Sequence, residues 1–417
     1  MKHASFFKCI FKTTSQVFKK KKNRFLEFFI ESLLKLSGSL TILIIILISV
    51  FLFSEGWGLF KSSTVEKGYV LCVNKSNKIT NVTPEQVKNI FDGKIVSWKE
   101  LGGEDVPIEI FRMDDVINMY SEEELGAELE FLPAKLSDVI ANSKGGIGFF
   151  PEQFINFKFK GRVLPTQTIS MKSFFGGKEW FPTATPSSQF GLLPLFLGTL
   201  WVSFGAILLA LPFGIAVAIY LAELANPRIR KVLKPLIELL AGIPSVVYGF
   251  FGLIVIVPLI RNLFQLPVGE TALAGSIVLA IMALPTIITV AEDALRTTPI
   301  AMKESSLALG ATQWQTIFRV VIPYASSGIL AAIILGIGRA IGETMAVLMV
   351  TGNAAVIPRT LTEPVRTIPA TIAAELGEAS AGSVQYQALF MLGAILFVLT
   401  LIISIFAEVI RKKPNAD

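Results

Sequence analysis

The chain has 417 residues, of which 52% are hydrophobic and 17% charged, and it carries a formal charge of +6. That balance excludes a soluble enzyme folded around one large core and describes a polytopic membrane protein, with lipid as its main solvent. With one histidine, His3, and two cysteines, a histidine-based metal site, a catalytic dyad and a disulfide framework are all disfavoured.

The positive excess lies mostly at Lys19, Lys20, Lys21, Lys22 and Arg24, directly before the first apolar run. It reads as a topology signal and a surface for anionic lipid, and nucleic-acid binding is not expected. A helix needs about 17 to 25 apolar residues to cross the hydrocarbon layer. Runs of that kind occur at 37–54, 192–221, 236–260, 271–290, 328–350 and 387–410. Basic residues at the N-terminus, at Arg228, Arg230, Lys231 and Lys234, at Arg296, Lys303 and Arg319, and from Arg411 to Lys413 then fall on one side. By the positive-inside rule that side is the cytoplasm, and Cys9 and Cys72 are expected on opposite sides.

The expected organisation is a basic cytoplasmic segment (1–36), a first transmembrane helix (37–54), an extracytoplasmic insertion (55–188), a membrane domain with five further helices (189–412) and a tail (413–417). The first run has a signal-like charged preface but no small-residue cleavage site after it, so it is expected to stay as an anchor. The fold class is thus an all-α polytopic membrane protein of six transmembrane helices with an inserted small α/β domain.

In the insertion charges return, and β-type runs (Tyr69–Val73, Ile108–Arg112, Ile147–Phe150) alternate with helix-like ones (Pro84–Phe91, Lys135–Ala141). The stretches VTPEQVKNIFDGKIVSWKELGG, IEIFRMDD and SKGGIGFF resemble part of the periplasmic phosphate-binding proteins, too little for both lobes. In those proteins a strand ending in Arg leads into a Ser-Gly-Thr turn that holds phosphate. Here Arg112 is followed by Met113, Asp114 and Asp115. Two carboxylates repel an anion, so no phosphate site is carried over. A docking or gating role toward a separate binding protein and a decorative insertion both remain open. Gly176, Gly177 and Lys178 imitate a P-loop fragment, but the full pattern is absent and this chain is not expected to hydrolyse ATP.

Further on, Pro212, Pro244 and Pro285 mark kinks in or beside apolar runs. Glu292 and Asp293 are expected to be solvated or bound to a partner's basic residues. Residues 304–323, ESSLALGATQWQTIFRVVIP, form a polar, helix-prone stretch between two apolar runs. Glu304, Ser305 and Ser306 are expected to open a short helix that Gly310 interrupts, and Ile317, Val320 and Val321 to form a stripe running to Pro323. The segment is either an amphipathic link on the membrane surface or a knob for a partner's groove. It resembles the cytoplasmic loop of ABC importer permeases, Glu-Ala-Ala, three residues, Gly, nine residues, Ile-x-Leu-Pro. Glu304, Gly310 and Pro323 match it, Ser305 and Ser306 replace the alanines, Val320 the isoleucine and Ile322 the leucine.

In GIGRAIGETMAV, Arg339 and Glu343 are ionisable residues near the middle of an apolar run, where a charge facing lipid costs several kcal/mol. Their i, i+4 spacing predicts a pair on one helical face, lining a polar pathway or stitching two helices. Gly338 and Gly342 have the small-xxx-small spacing that lets another helix approach. A planar guanidinium suits an oxyanion.

From 188 onward, QFGLLPLFLGTLWVSFGAILLALPFGIAVAIYLAEL, ELLAGIPSVVYGFFGL, LPTIITVAEDALRTTP and GIGRAIGETMAVLMVTG resemble the phosphate-specific ABC permeases of the PstC type. The resemblance implies a transporter subunit and no enzyme, in a bacterial inner membrane with both termini cytoplasmic. It also implies a homologous second permease, an ATPase dimer that uses ATP and magnesium, and an extracytoplasmic phosphate-binding protein as partners, with no cofactor in this chain. Another oxyanion, molybdate or sulfate, or a membrane-anchored sensor built on 55–188, are the alternatives.

Overall fold

The computed structural model describes the backbone of residues 3–411 other than 64, 127 and 157, and side chains within 28–409 other than those three and Ala407. The expectations for His3, Cys9, Lys19 to Lys22, Arg24 and Arg411 to Lys413 lie outside the described side chains. Two compact units are present, residues 1–54 and 55–417.

The first unit is helix α1 (His3–Trp57), whose end passes into the second unit. Its membrane-capable stretch, Phe28–Lys61, is longer than the expected 37–54. Few hydroxyls interrupt the Leu, Ile and Phe of this stretch, and several fold back on the backbone. Ser39 Oγ donates to the Lys35 carbonyl at 2.9 Å, Thr41 to Ser37 at 3.0 Å and Ser49 to Ile45 at 2.7 Å. Satisfying polar groups within the helix is what hydrocarbon demands.

The second unit opens with the inserted domain. Strand β1 (Tyr69–Val73), helix α2 (Pro84–Phe91), strand β2 (Glu109–Arg112), helices α3 (Met113–Met119), α4 (Glu122–Leu125) and α5 (Leu132–Asn142), and strands β3 (Gly146–Pro151) and β4 (Arg162–Val163) follow in that order. The sheet order is β2-β3-β1-β4, with β2 parallel to β3 and β1 antiparallel to β3 and β4. Because side chains alternate along a strand, Leu71 and Val73 enter a core with Val87, Ile90 and Trp98, while Cys72 enters a second with Val116, Leu136 and Phe150. Two small cores, one on each face, make an α/β layer. Helix α2 starts cleanly because Thr83 and Gln86 form a capping box ahead of Pro84.

Helix α6 (Met171–Gly176) and the hairpin β5 (Trp180–Phe181) and β6 (Gln189–Phe190) lead into the membrane domain. Helix α7 (Leu193–Ile219) ends in a π turn, Tyr220–Leu224, and is followed by α8 (Pro227–Ala241). Helix α9 (Ser245–Phe251) continues through a π turn into α10 (Val257–Phe264), and α11 (Ala272–Arg296) comes next. Then come α12 (Ile300–Ala308), α13 (Gln313–Thr316), a π turn at Ile317–Val321, α14 (Ile322–Tyr324), α15 (Ser326–Ile341), α16 (Met345–Val350), α17 (Ile368–Glu375) and α18 (Val384–Arg411).

Among the described residues five helical stretches are long and apolar enough to cross a membrane: Phe28–Lys61, Leu193–Leu224, Ser245–Phe264, Ala272–Arg296 and Val384–Phe406. A sixth arises if Gln313–Tyr324 and Ser326–Ile341, which meet at a 71° bend, count as one. Two expected spans are corrected. The run 236–260 is divided at Gly242 to Pro244, since proline lacks the amide and disfavours helix in the residue before it; α8 buries no residue, and the span is Ser245–Phe264. The run 328–350 is interrupted between Ile341 and Met345.

The membrane core centres on α11, which packs along α7 and α15, with Ala206, Val278, Leu279 and Met282 fully buried. Close approach rests on small residues. A Cβ at Gly205 would strike Ser276, one at Gly214 or Gly336 would strike Ile287, and one at Gly328 would strike Ala294. The expected packing glycines are not these: at Gly338 a Cβ would meet nothing within 4 Å, and at Gly342 it would meet only its own helix's Gly338 carbonyl.

Candidate functional site

Arg339 lies in the last turn of α15 and Glu343 lies beyond its end, so no continuous helix carries the two. The i, i+4 pair is therefore not formed, and neither residue makes an ion pair among the described residues. Arg339 Nη1 instead donates to Thr286 Oγ1 on α11 at 3.3 Å. Glu343 Oε1 accepts from the Ala346 amide at 3.3 Å, capping α16. Each charge sits at the helix end whose dipole favours it, arginine at a C-terminus and glutamate at an N-terminus.

The unwound stretch has a cost. Helix α15 has 16 residues, about 24 Å at 1.5 Å per residue, and hydrocarbon has no water to satisfy the freed backbone groups. Non-helical backbone at that depth is tolerated where it is buried in protein or lines a wet cavity. Here Gly342 and Thr344 border a shallow open groove together with Pro369, Ile372, Ala373 and Leu376. A guanidinium has five N–H donors, and Arg339, only partly buried, keeps most of its set uncommitted beside that break.

The segment 304–323 is a bent helical knob. Glu304, Ser305 and Ser306 occupy the second half of α12 rather than opening it, because the helix already starts at Ile300 after Pro299. Ser306 Oγ and Thr316 Oγ1, 3.0 Å apart, tie the two arms. Gly310 turns the chain at φ +85°, a conformation that costs other residues a steric penalty. Thr312 and Gln315 then cap α13. Ile317 is buried, Val321 is buried against Ala218, Ala291 and Leu295, Val320 and Ile322 are half-buried, and Pro323 is exposed just before the 71° bend. Leu309, 90% exposed, Trp314 and Phe318 form an outward apolar tip, the two rings stacked at 6.0 Å.

Ion pairs fix this knob to the span ends. Lys303 Nζ lies 2.6 Å from Glu223 Oε1, and Gln313 Nε2 donates to the Glu223 carbonyl at 3.3 Å. Glu292 is 1% exposed, not solvated as expected, and its neutralising charges come from this chain: Arg230 at 2.7 Å, Lys234 at 3.3 Å and Arg296 at 3.8 Å. Such a carboxylate would be costly to bury unpaired. Burial opposes the charge of Lys234, but its hydrogen bond to Asp293 and the charge of Glu292 outweigh burial and hold its pKa above the ordinary lysine value.

One buried cluster escaped sequence reasoning. Glu375 at the end of α17 accepts Trp180 Nε1 on both oxygens at 3.1 Å, Arg366 Nη1 at 2.7 Å and Gln385 Nε2 at 3.3 Å. Ser62 Oγ donates to Gln387 Oε1 at 2.8 Å. The hairpin that ends the insertion is thus fastened to α17 and α18. A charged pair nine residues apart, Arg366 and Glu375, was the available signal; Trp180 gave none.

In the inserted domain, the Arg112 amide donates to Asp115 Oδ2 at 2.9 Å, and the Arg112 guanidinium lies 5.8 Å from the centre of the Phe91 ring. The N-cap amide of α3 is thus taken by the chain's own carboxylate.

Residues 210–415 match the family described as binding-protein-dependent transport system inner membrane component, and residues 50–145 match the PBP superfamily domain. The probable ABC transporter permease protein YqgH of Bacillus subtilis is 42% identical over 232 residues, covering 56% of this chain and 75% of that protein. Phosphate transport system permease protein PstC of Mesorhizobium japonicum is 39% identical over 263 residues, 58% of this chain and 79% of that protein. The corresponding protein of Pasteurella multocida is 38% identical over 250 residues, covering 55% and 77%. The chain belongs to the PstC family of ABC transporter permeases. As a member it is a multi-pass membrane protein and a transport component, not an enzyme. The permease match takes in α11, the 304–323 knob and the Arg339 break, whereas the PBP-like match takes in β1, α2, β2, α3 and α5. This permease therefore carries part of a binding-protein fold, and the Trp180–Glu375 hydrogen bonds fasten the segment after that part to the permease helices.

Proposed function

We propose that this chain is the transmembrane permease subunit of an ATP-driven phosphate importer, with Arg339 on the translocation pathway. The observation that carries the reading is the helix break at Gly342 to Thr344, which leaves a largely uncommitted guanidinium in the last turn of α15, three residues before unwound backbone in a membrane domain. Phosphate would be held by planar, permanently charged donors. Glu343, held at the start of α16, limits how long an anion rests there, since a pathway must release what it binds.

The chain sits in a bacterial inner membrane with both termini cytoplasmic, and it forms one wall of the pathway, the other being a homologous permease subunit. An extracytoplasmic binding protein delivers phosphate. An ATPase dimer, which alone uses ATP and magnesium, grips the knob at Glu304 to Pro323 through Leu309, Trp314 and Phe318. ATP shifts the equilibrium by its differential affinity for the two openings. The insertion, fastened through Glu375, is a fixed platform on which the binding protein docks. The experiment is ATPase activity of the assembled transporter in nanodiscs: phosphate-loaded binding protein stimulates it several-fold, and deleting residues 60–180 removes the stimulation. Unchanged stimulation after the deletion would remove the docking role.

A further inference from the structure

A cleft of about 540 Å³ lies where α2, the start of α6 and the segments at Gly176 to Glu179 and Gln189 to Gly191 meet. Four lysines line it, Lys88, Lys94, Lys172 and Lys178, against two carboxylates, Glu85 and Glu179. The lysines are not equivalent. Lys88 is committed, 2.7 Å from Glu179 and 3.1 Å from Asp92, and its hydrogen bond to Glu179, against the pull of burial, raises its pKa. Lys94 approaches Asp92 at 3.6 Å. Lys172 and Lys178 are exposed and make no ion pair among the described residues. With Glu179 neutralised by Lys88, Glu85 is the one lining carboxylate that opposes the free ammonium groups.

The surroundings add neutral donors and a narrow floor. The hydroxyls of Thr168 and Ser173 line the cleft, and Gly177 approaches Gly191 so closely that a Cβ on either would strike the other's backbone. Gly191 stands two residues before the start of α7, so the cleft lies next to the beginning of a membrane-capable helix. Such a pocket concentrates anions by focusing the field of like charges between low-dielectric walls.

We infer that this cleft binds a phosphate group, held chiefly by Lys172 and Lys178 and separate from the Arg339 site. The group comes either from inorganic phosphate or from the headgroup of an anionic phospholipid, and the chemistry is the same: a tetrahedral oxyanion between mobile ammonium groups. The inference stands independently of the transport reading, because it uses none of the membrane-embedded residues.

The test uses the full chain in nanodiscs. In discs of phosphatidylcholine alone, inorganic phosphate is titrated and its phosphorus resonance broadening followed. In discs containing phosphatidylglycerol, the lipid retained on detergent extraction is quantified. The parent chain, Lys172→Gln/Lys178→Gln and a charge-matched control, Lys99→Gln/Lys160→Gln, are compared. The cleft variant weakens phosphate binding at least fivefold, or lowers retained phosphatidylglycerol at least twofold, while the control behaves as the parent. A response in the first arm assigns free phosphate and one in the second assigns the headgroup. If the cleft variant matches the parent in both arms, or if the control loses as much, the inference is overturned.

Discussion

Arg339 hydrogen-bonds Thr286, 53 residues before it, and not Glu343, four residues after it. The guanidinium is therefore steadied by α11 from the side, while the carboxylate belongs to the start of α16. Separating the two charges leaves the arginine available to an anion.

Replacing Arg339 by Lys keeps the charge and removes the planar fork. A hydrogen bond to a charged group is worth about 1.5–3 kcal/mol, so phosphate uptake by the assembled transporter should fall about 10- to 100-fold. Thr286→Val should cause a smaller loss, about three- to tenfold by the same scale, chiefly as a raised KM, and Thr286→Ser should restore it. Equal loss in both Thr286 variants would show that packing, not the hydroxyl, matters there.

Glu343→Ala removes the side-chain acceptor at the start of α16, which typically costs about 1 kcal/mol. Glu343→Gln keeps an acceptor and loses the charge. Thermal unfolding should thus separate the two, with a lower Tm for Ala and a near-parental one for Gln, while both alter uptake.

Trp180→Phe preserves the ring and deletes the indole donor that bridges the insertion to Glu375. A buried carboxylate short of a partner costs about 1–3 kcal/mol. Hydrogen exchange should accelerate in 176–192 and in α17, leaving the sheet of the inserted domain protected. Unchanged exchange in both segments would mean that the fastening is carried by other contacts.

Burial pushes the Cys72 thiol from 9.0 up to about 12. Cys72 in the folded protein should therefore resist thiolate-specific alkylation at pH 8 and react rapidly once denatured, which peptide mapping of the labelled site reads apart from Cys9. The sign follows from linkage: with the folded value raised, the stabilisation is fully present below pH 9.0 and is lost as pH climbs from there toward 12.

Much of this architecture was legible because membranes impose long apolar runs and sheets impose alternation. Tyr69–Val73 and Pro84–Phe91 form as read, since each is a short, locally consistent pattern with its own boundaries. What was not legible depended on breaks and on distant partners. Hydropathy carries straight across Gly342 to Thr344, so a broken helix looked continuous and placed Arg339 and Glu343 on one face. Glu292 looked like a surface residue because its cations come from α8, about sixty positions earlier. Glu304 to Ser306 sat at the right place in the knob but in the wrong half of their helix, because a helix start about one turn upstream has no strong cap to announce it.

The most direct measurement is ATP-driven uptake of labelled phosphate into vesicles holding this chain with its homologous permease, ATPase and binding protein, with sulfate and molybdate as competitors. Uptake should proceed, resist tenfold excess of either competitor, and fall at least tenfold with Arg339→Lys. Uptake that either competitor suppresses as well as unlabelled phosphate does, or that Arg339→Lys leaves untouched, would contradict a phosphate pathway built on that arginine.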